Sequence, residues 1–230
     1  MTAEPTEQPH QPEFAATGST YYATLSSVLT GLVLICTAAA TKGVAFGPIL
    51  ADGGFFVFPL TYVIGDVLSE VYGFKAARRA VVIGFVMQAV SVLVLWLAVQ
   101  LPAAPGYLNQ HALAAEVSSI AGLAAAGLSG FLAGQLINAW VLVWIKRRTD
   151  DGRLWVRLLG STVVGQFSDT LVFCAIAAPF IGFGDLRSFA VFAALSWAYK
   201  TLAVTVLMPV TYQVIAAIKR REPTYQQVAA

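Results

Sequence analysis

The stretch FPLTYVIGDVLSEVYGFKAARRA, residues 58–80, decides how this chain is read. It opens as an apolar run, sets Asp66 and Glu70 four residues apart inside that run, and closes on Lys75, Arg78 and Arg79. Residues at i and i+4 share one helix face, so a helix here presents both carboxylates together, with Tyr62 one turn earlier on the same face. The surrounding chain is as oily as the stretch itself. Hydrophobic residues make up 58% of the 230 and charged residues 11%, whereas a soluble domain is about 25% charged. That composition predicts an all-α, polytopic membrane protein.

Six apolar runs are long enough to cross a bilayer, which takes about 20 residues each. They cover residues 22–41, 54–73, 79–101, 117–145, 155–182 and 189–218. Eleven of the 14 Lys and Arg residues follow the second, fourth and sixth runs, in clusters led by Lys75, Lys146 and Lys219. Positive loops stay in the cytoplasm, so an even span count with both termini inside a bacterial inner membrane is expected. The 102–116 connection, without Lys or Arg, then lies outside. Residues 1–20, Pro-rich and acidic, read as a disordered cytoplasmic tail, 21–220 as the six-helix transmembrane domain, and 221–230 as a second cytoplasmic tail. Two sets of three spans would enter from opposite sides, and each has an Asp in its second helix, in GDVLSE and in QFSDTL. That topology admits a 3+3 inverted repeat.

Other classes of function find little support. A net charge of +2 does not suggest nucleic acid, and membrane lipid is the expected surrounding. Cys36 and Cys174 lie in apolar runs and read as core residues rather than a disulfide. His10 and His111 are far apart in polar segments, so no metal site and no cofactor is expected. The GLSG run at 127–130 imitates a membrane protease motif, but such an enzyme needs a His in another span. The chain does not read as an enzyme.

Asp66, Glu70, Asp169 and Lys200 fall inside spans, where each costs about 2.5–3.5 kcal/mol at the helix centre. Such groups face a bundle interior or a wet cavity. For Glu70 the bland alternative is a place near the cytoplasmic end, paired with Lys75 or Arg78. For Asp169 and Lys200 it is a buried pair that fixes packing. Gln135, Asn138 and Trp140 in the fourth run, Gln166 in the fifth and Trp197 in the sixth add polar and aromatic groups of the kind that line small-molecule cavities. Gly122, Ala126, Gly130 and Gly134 form a stripe of small residues that permits close helix approach, within the bundle or across a homodimer seam.

Residues 58–85, with Phe58-Pro59-Leu60-Thr61, Asp66, Glu70, Tyr72-Gly73 and Arg78-Arg79, resemble the bacterial queuosine-precursor transporters, a group of vitamin-uptake-like membrane proteins. Gln166, Asp169, Thr170 and Phe173 resemble that family's second polar helix. The resemblance covers about residues 22–220. It implies six spans and import of the 7-cyano or 7-aminomethyl form of 7-deazaguanine, without a dedicated ATPase. It assigns no residue roles; those come from chemistry. Asp66 or Asp169 can accept the paired N–H donors of such a base, and in a proton-coupled version Glu70 or Asp66 alternates between charged and neutral forms. Asn138, Gln135 or Gln166 can donate to its carbonyl, and Phe58, Tyr62, Trp140 or Trp197 can stack on the ring. Lys200 completes the candidate set as the partner of one carboxylate. The alternatives are a substrate-binding subunit of an ATP-driven vitamin importer, or a carrier for another purine-like base.

Overall fold

A computed structural model describes residues 14–46, 49–149, 153–181, 186–223 and 225. Helix α1 spans Thr20–Ala40, and a two-stranded antiparallel hairpin follows, β1 at Gly43–Phe46 and β2 at Ile49–Asp52. Then come α2 (Phe58–Gln100), α3 (Gln110–Lys146), α4 (Leu154–Ile181), α5 (Leu186–Val206) and α6 (Met208–Arg221). The architecture is helical, as the composition predicts, with the hairpin as a short connection between α1 and α2. Five of these helices are long and apolar enough to cross a membrane: α1, α2, α3, α4 and α5.

The 43-residue α2 would run about 65 Å if straight, twice the hydrocarbon thickness of about 30 Å. It does not run straight. At one end of α1, the Cys36 thiol sits 3.7 Å from the Gly54 carbonyl. At its other end, the Ser19 and Tyr72 hydroxyls are 3.3 Å apart and the Ala15 N–H donates to the Val71 carbonyl at 2.9 Å. Residues 58–72 therefore run antiparallel to α1. Beyond them, the Tyr22 hydroxyl donates to the Ala76 carbonyl, and Gly84 packs on Thr30 and Val33, so 74–100 run parallel to α1. The reversal falls at Gly73, with φ 80° and ψ 174°, a conformation essentially confined to glycine.

The burial pattern inverts that of a soluble bundle. Leu93, Trp96, Leu171 and Leu202 are exposed on the outer surface. Asp66, Glu70, Gln135, Asn138, Gln166 and Asp169 are all at or below 2% exposure inside. Such an outer surface suits a bilayer, whereas the buried polar groups need partners inside the bundle.

Several boundaries differ from the sequence reading. The connection after the third apolar run is shorter than 102–116, because α3 already starts at Gln110. The last apolar run is two helices, since Pro209 sits in the first turn of α6 and cannot continue the ladder of α5. Packing begins before residue 20: Phe14 lies against Gly73 and Ala15 is buried. Glu222, placed in the C-terminal tail, is fully buried. The rest of both tails, residues 1–13 and 226–230, lies outside the described residues. Neither Cys36 nor Cys174 is in a disulfide among the described residues.

Candidate substrate site

Glycines bring the site together. A Cβ on Gly134 would fall 2.5 Å from the Tyr62 hydroxyl and 2.6 Å from Asp169 Cβ, and one on Gly165 would fall 2.6 Å from Asn138 Cβ. Gly130 faces the backbone carbonyl and Oδ1 of Asp169, and Gly65 faces the Gln135 amide. The small-residue stripe of α3 thus packs inside one chain, drawing α3 onto α4 and the first limb of α2. The surroundings of Gly122 lie outside the described residues.

Three polar levels follow along α2. Asn138 Nδ2 donates to Asp66 Oδ1 at 2.6 Å. One turn further from Gly73, Gln135 Nε2 donates to the Thr61 carbonyl at 3.0 Å, and Tyr62 sits beside Gly134. At the Phe58 level, Lys200 Nζ donates to Asp169 Oδ2 at 2.7 Å. The same ammonium lies 4.6 Å from the Phe58 ring centre and 5.7 Å from that of Phe173. Phe58 in turn contacts Tyr62, with ring centres 5.2 Å apart.

Among the described residues, the Tyr62 hydroxyl, Gln135 Oε1 and Asn138 Oδ1 of this layer are buried without a hydrogen-bond partner, as are both amide atoms of Gln166 and the Thr170 hydroxyl, which lie on α4 on either side of Asp169. Leaving a buried polar atom unpaired costs about 1–3 kcal/mol. These atoms, on α2, α3 and α4, are both donors and acceptors.

Glu70 has a different setting. Arg157 Nη2 and Lys219 Nζ each donate to its Oε1 at 2.9 Å, and Lys146 Nζ lies 3.4 Å from that atom while donating to the Glu70 carbonyl at 2.7 Å. The Tyr72 hydroxyl donates to Glu222 at 2.7 Å in the same region. This cluster ties α2, α3, α4 and α6 together at the basic end, about 18 Å along α2 from Phe58. Neither Lys75 nor Arg78 is among the salt-bridge partners of Glu70 in the described residues.

The structure therefore brings together Asp66, Asn138, Tyr62, Gln135, Asp169, Lys200 and Phe58, and buries Gln166 on α4 one residue beyond Gly165, which packs on Asn138. It holds Glu70 apart in the ion cluster. Trp140 points away: it is 54% exposed and stacks on Trp144 along the outer face of α3, because two residues beyond Asn138 is nearly the opposite side of a helix. Trp197 is half-buried, and its indole N–H donates to the Val163 carbonyl at 3.2 Å. Sequence reasoning counted Lys146, Arg157 and Lys219 as loop charges and missed their convergence on Glu70. Arg157 inside LWVRLL was the one visible signal, a cation flanked on both sides by apolar residues.

The profile of a family described as "Putative vitamin uptake transporter" matches residues 52–214. The chain belongs to that family and is a multi-pass membrane protein. It is also 30% identical over 149 residues to a Bacillus subtilis (strain 168) protein described as "Probable queuosine precursor transporter". That match takes in 64% of this chain and 65% of the relative, so it spans just under two thirds of the relative's length. No solved structure matches the chain.

Proposed function

We propose that this protein is a six-span carrier that imports a 7-deazaguanine base, in its cyano or aminomethyl form, across the bacterial cytoplasmic membrane with both termini inside. The fold-back at Gly73 supports the span count by giving α2 two antiparallel limbs. The clustering of basic residues at the Glu70 end supports the orientation. The observation that carries the substrate class is the buried layer of unpaired groups around Asp66. The Asp66 carboxylate accepts the adjacent ring N–H and exocyclic NH2 of the base, a charge-assisted two-point contact. Gln166 or the Tyr62 hydroxyl donates to the ring carbonyl, and the Phe58 and Tyr62 rings cover the flat face.

In this reading Glu70 does not touch the base. It gathers the cations of α3, α4 and α6 and closes the cytoplasmic end of the polar layer. The test is uptake of labelled 7-cyano-7-deazaguanine by cells that lack their own importer and their own synthesis. Accumulation that unlabelled guanine competes with only weakly supports the assignment. No accumulation above the empty-vector level, with the protein present in the membrane, removes it. Abolition of uptake by a protonophore would add proton coupling; indifference to it would leave facilitated entry.

A further inference from the structure

We infer that Lys200 is a resident cation that makes the site select against a positively charged substrate. This deepens the functional reading above and rests on it. The Lys200 ammonium occupies what a substrate ammonium would need. Its Nζ is 2.7 Å from Asp169 Oδ2, and the rings of Phe58 and Phe173 face it at 4.6 and 5.7 Å. A carboxylate flanked by aromatic faces is the usual recognition chemistry for an ammonium group. Here that arrangement is filled by the protein's own side chain. Asp169 is 3% exposed at its side chain and Lys200 22%, so the pair is screened far less than a surface pair.

The pair also adjoins the proposed site. Asp169 Cβ and the Tyr62 hydroxyl face the same Gly134, and Phe58, which covers Lys200, contacts Tyr62. A deazaguanine bound to Asp66 by its N–H edge carries its 7-substituent on the five-membered ring, remote from that edge and free to reach toward Phe58. A nitrile there is neutral and can accept from Lys200. A primary amine is protonated at neutral pH and meets a like charge whose carboxylate is already taken. Two ammonium groups competing for one buried carboxylate is an unfavourable arrangement.

Binding to the purified full-length protein tests this with three labelled ligands: the 7-cyano, the 7-hydroxymethyl and the 7-aminomethyl base. The hydroxymethyl compound matches the amine in size without its charge. Wild type should bind the two neutral bases within about fivefold of each other and the amine at least tenfold more weakly. Lys200→Met, which frees Asp169 and the two rings, should shift the amine-to-nitrile ratio at least tenfold toward the amine. Lys200→Arg should keep the wild-type preference. The double variant Asp169→Asn/Lys200→Met should lose the amine again. Equal wild-type binding of the hydroxymethyl and aminomethyl bases overturns the inference and needs no variant to fold. An unchanged ratio in a folded Lys200→Met protein overturns it as well. Binding of none of the three bases removes the functional reading itself, and this inference with it.

Discussion

Asn138 on α3 donates to Asp66 on α2 at 2.6 Å, both side chains buried and 72 residues apart in sequence. This contact holds a carboxylate inside the bundle with one amide donor on it. Asn138→Ala removes the donor and leaves the carboxylate without it. A loss of about 2–3 kcal/mol is expected, read as a lower unfolding midpoint in detergent. Asp66→Asn removes the charge as well and should cost less stability than Asn138→Ala. The reverse order would mean that this contact does not govern the local energetics.

The close approach of α3 and α4 depends on glycines, and its cost can be measured against an internal control. Gly134→Ala places a methyl against the Tyr62 hydroxyl, Asp169 Cβ and the Gly165 carbonyl. Two of those three are backbone or near-backbone atoms that cannot swing aside, so a loss of about 1–3 kcal/mol is expected. Gly127, on the same helix, has nothing among the described residues within 4 Å of its would-be Cβ. Gly127→Ala should be neutral or should stabilise by up to about 1 kcal/mol. Equal effects at the two positions would contradict the packing described.

Gly73 makes the fold-back of α2. Its φ of 80° and ψ of 174° strain any residue with a Cβ, and the Phe14 ring 3.2 Å from a would-be Cβ makes the contact tight as well. Gly73→Ala should cost about 1–3 kcal/mol through backbone strain alone. Gly106, also at positive φ but with open space around it, should tolerate bulk better. Comparing the membrane yield and unfolding midpoint of Gly73→Ala and Gly106→Ala checks this.

The ion cluster at the basic end predicts both a mutational effect and a pH effect. Glu70→Ala strips the shared acceptor from Arg157, Lys219 and Lys146, and breaking a buried pair on one side costs about 3–5 kcal/mol. Burial alone would push the Lys219 ammonium down. The Glu70 charge and the hydrogen bonds to Tyr225 and Glu70 outweigh that and hold it above its ordinary 10.5. A raised folded-state value adds stability that is complete below the unfolded value and is lost as pH climbs through the folded one. The unfolding midpoint should therefore stay level from about pH 7 to pH 9.5 and fall once pH passes about 10.5. Lys219→Met should remove that part of the alkaline fall, and an unaltered pH profile would contradict the assignment.

The helices were legible because a bilayer demands long apolar segments, and a run of that length leaves few alternatives. Asp66, Asn138, Gln135 and Asp169 were legible for the same reason: a polar residue in such a run has to face inward. The partners of Glu70 were not. Lys146, Arg157 and Lys219 lie 76, 87 and 149 residues away, and charges flanking spans look the same whether they meet lipid headgroups or one another. Trp140 was misplaced because composition names the aromatics near a site without giving their angle on the helix. The fold-back was half legible: the basic cluster marked the end of a span, but only the backbone at Gly73 shows where the chain turns.

The central claim is that Asp66 receives the donor edge of a deazaguanine base. Equilibrium binding of labelled 7-cyano-7-deazaguanine to purified wild-type and Asp66→Asn protein, each shown to be monodisperse and folded, tests it most directly. Replacing the carboxylate by an amide sets an N–H donor or a weaker neutral acceptor against the base's donors. Asp66→Asn should therefore bind at least tenfold more weakly while keeping its helical content. Equal affinity in the two folded proteins would contradict the account.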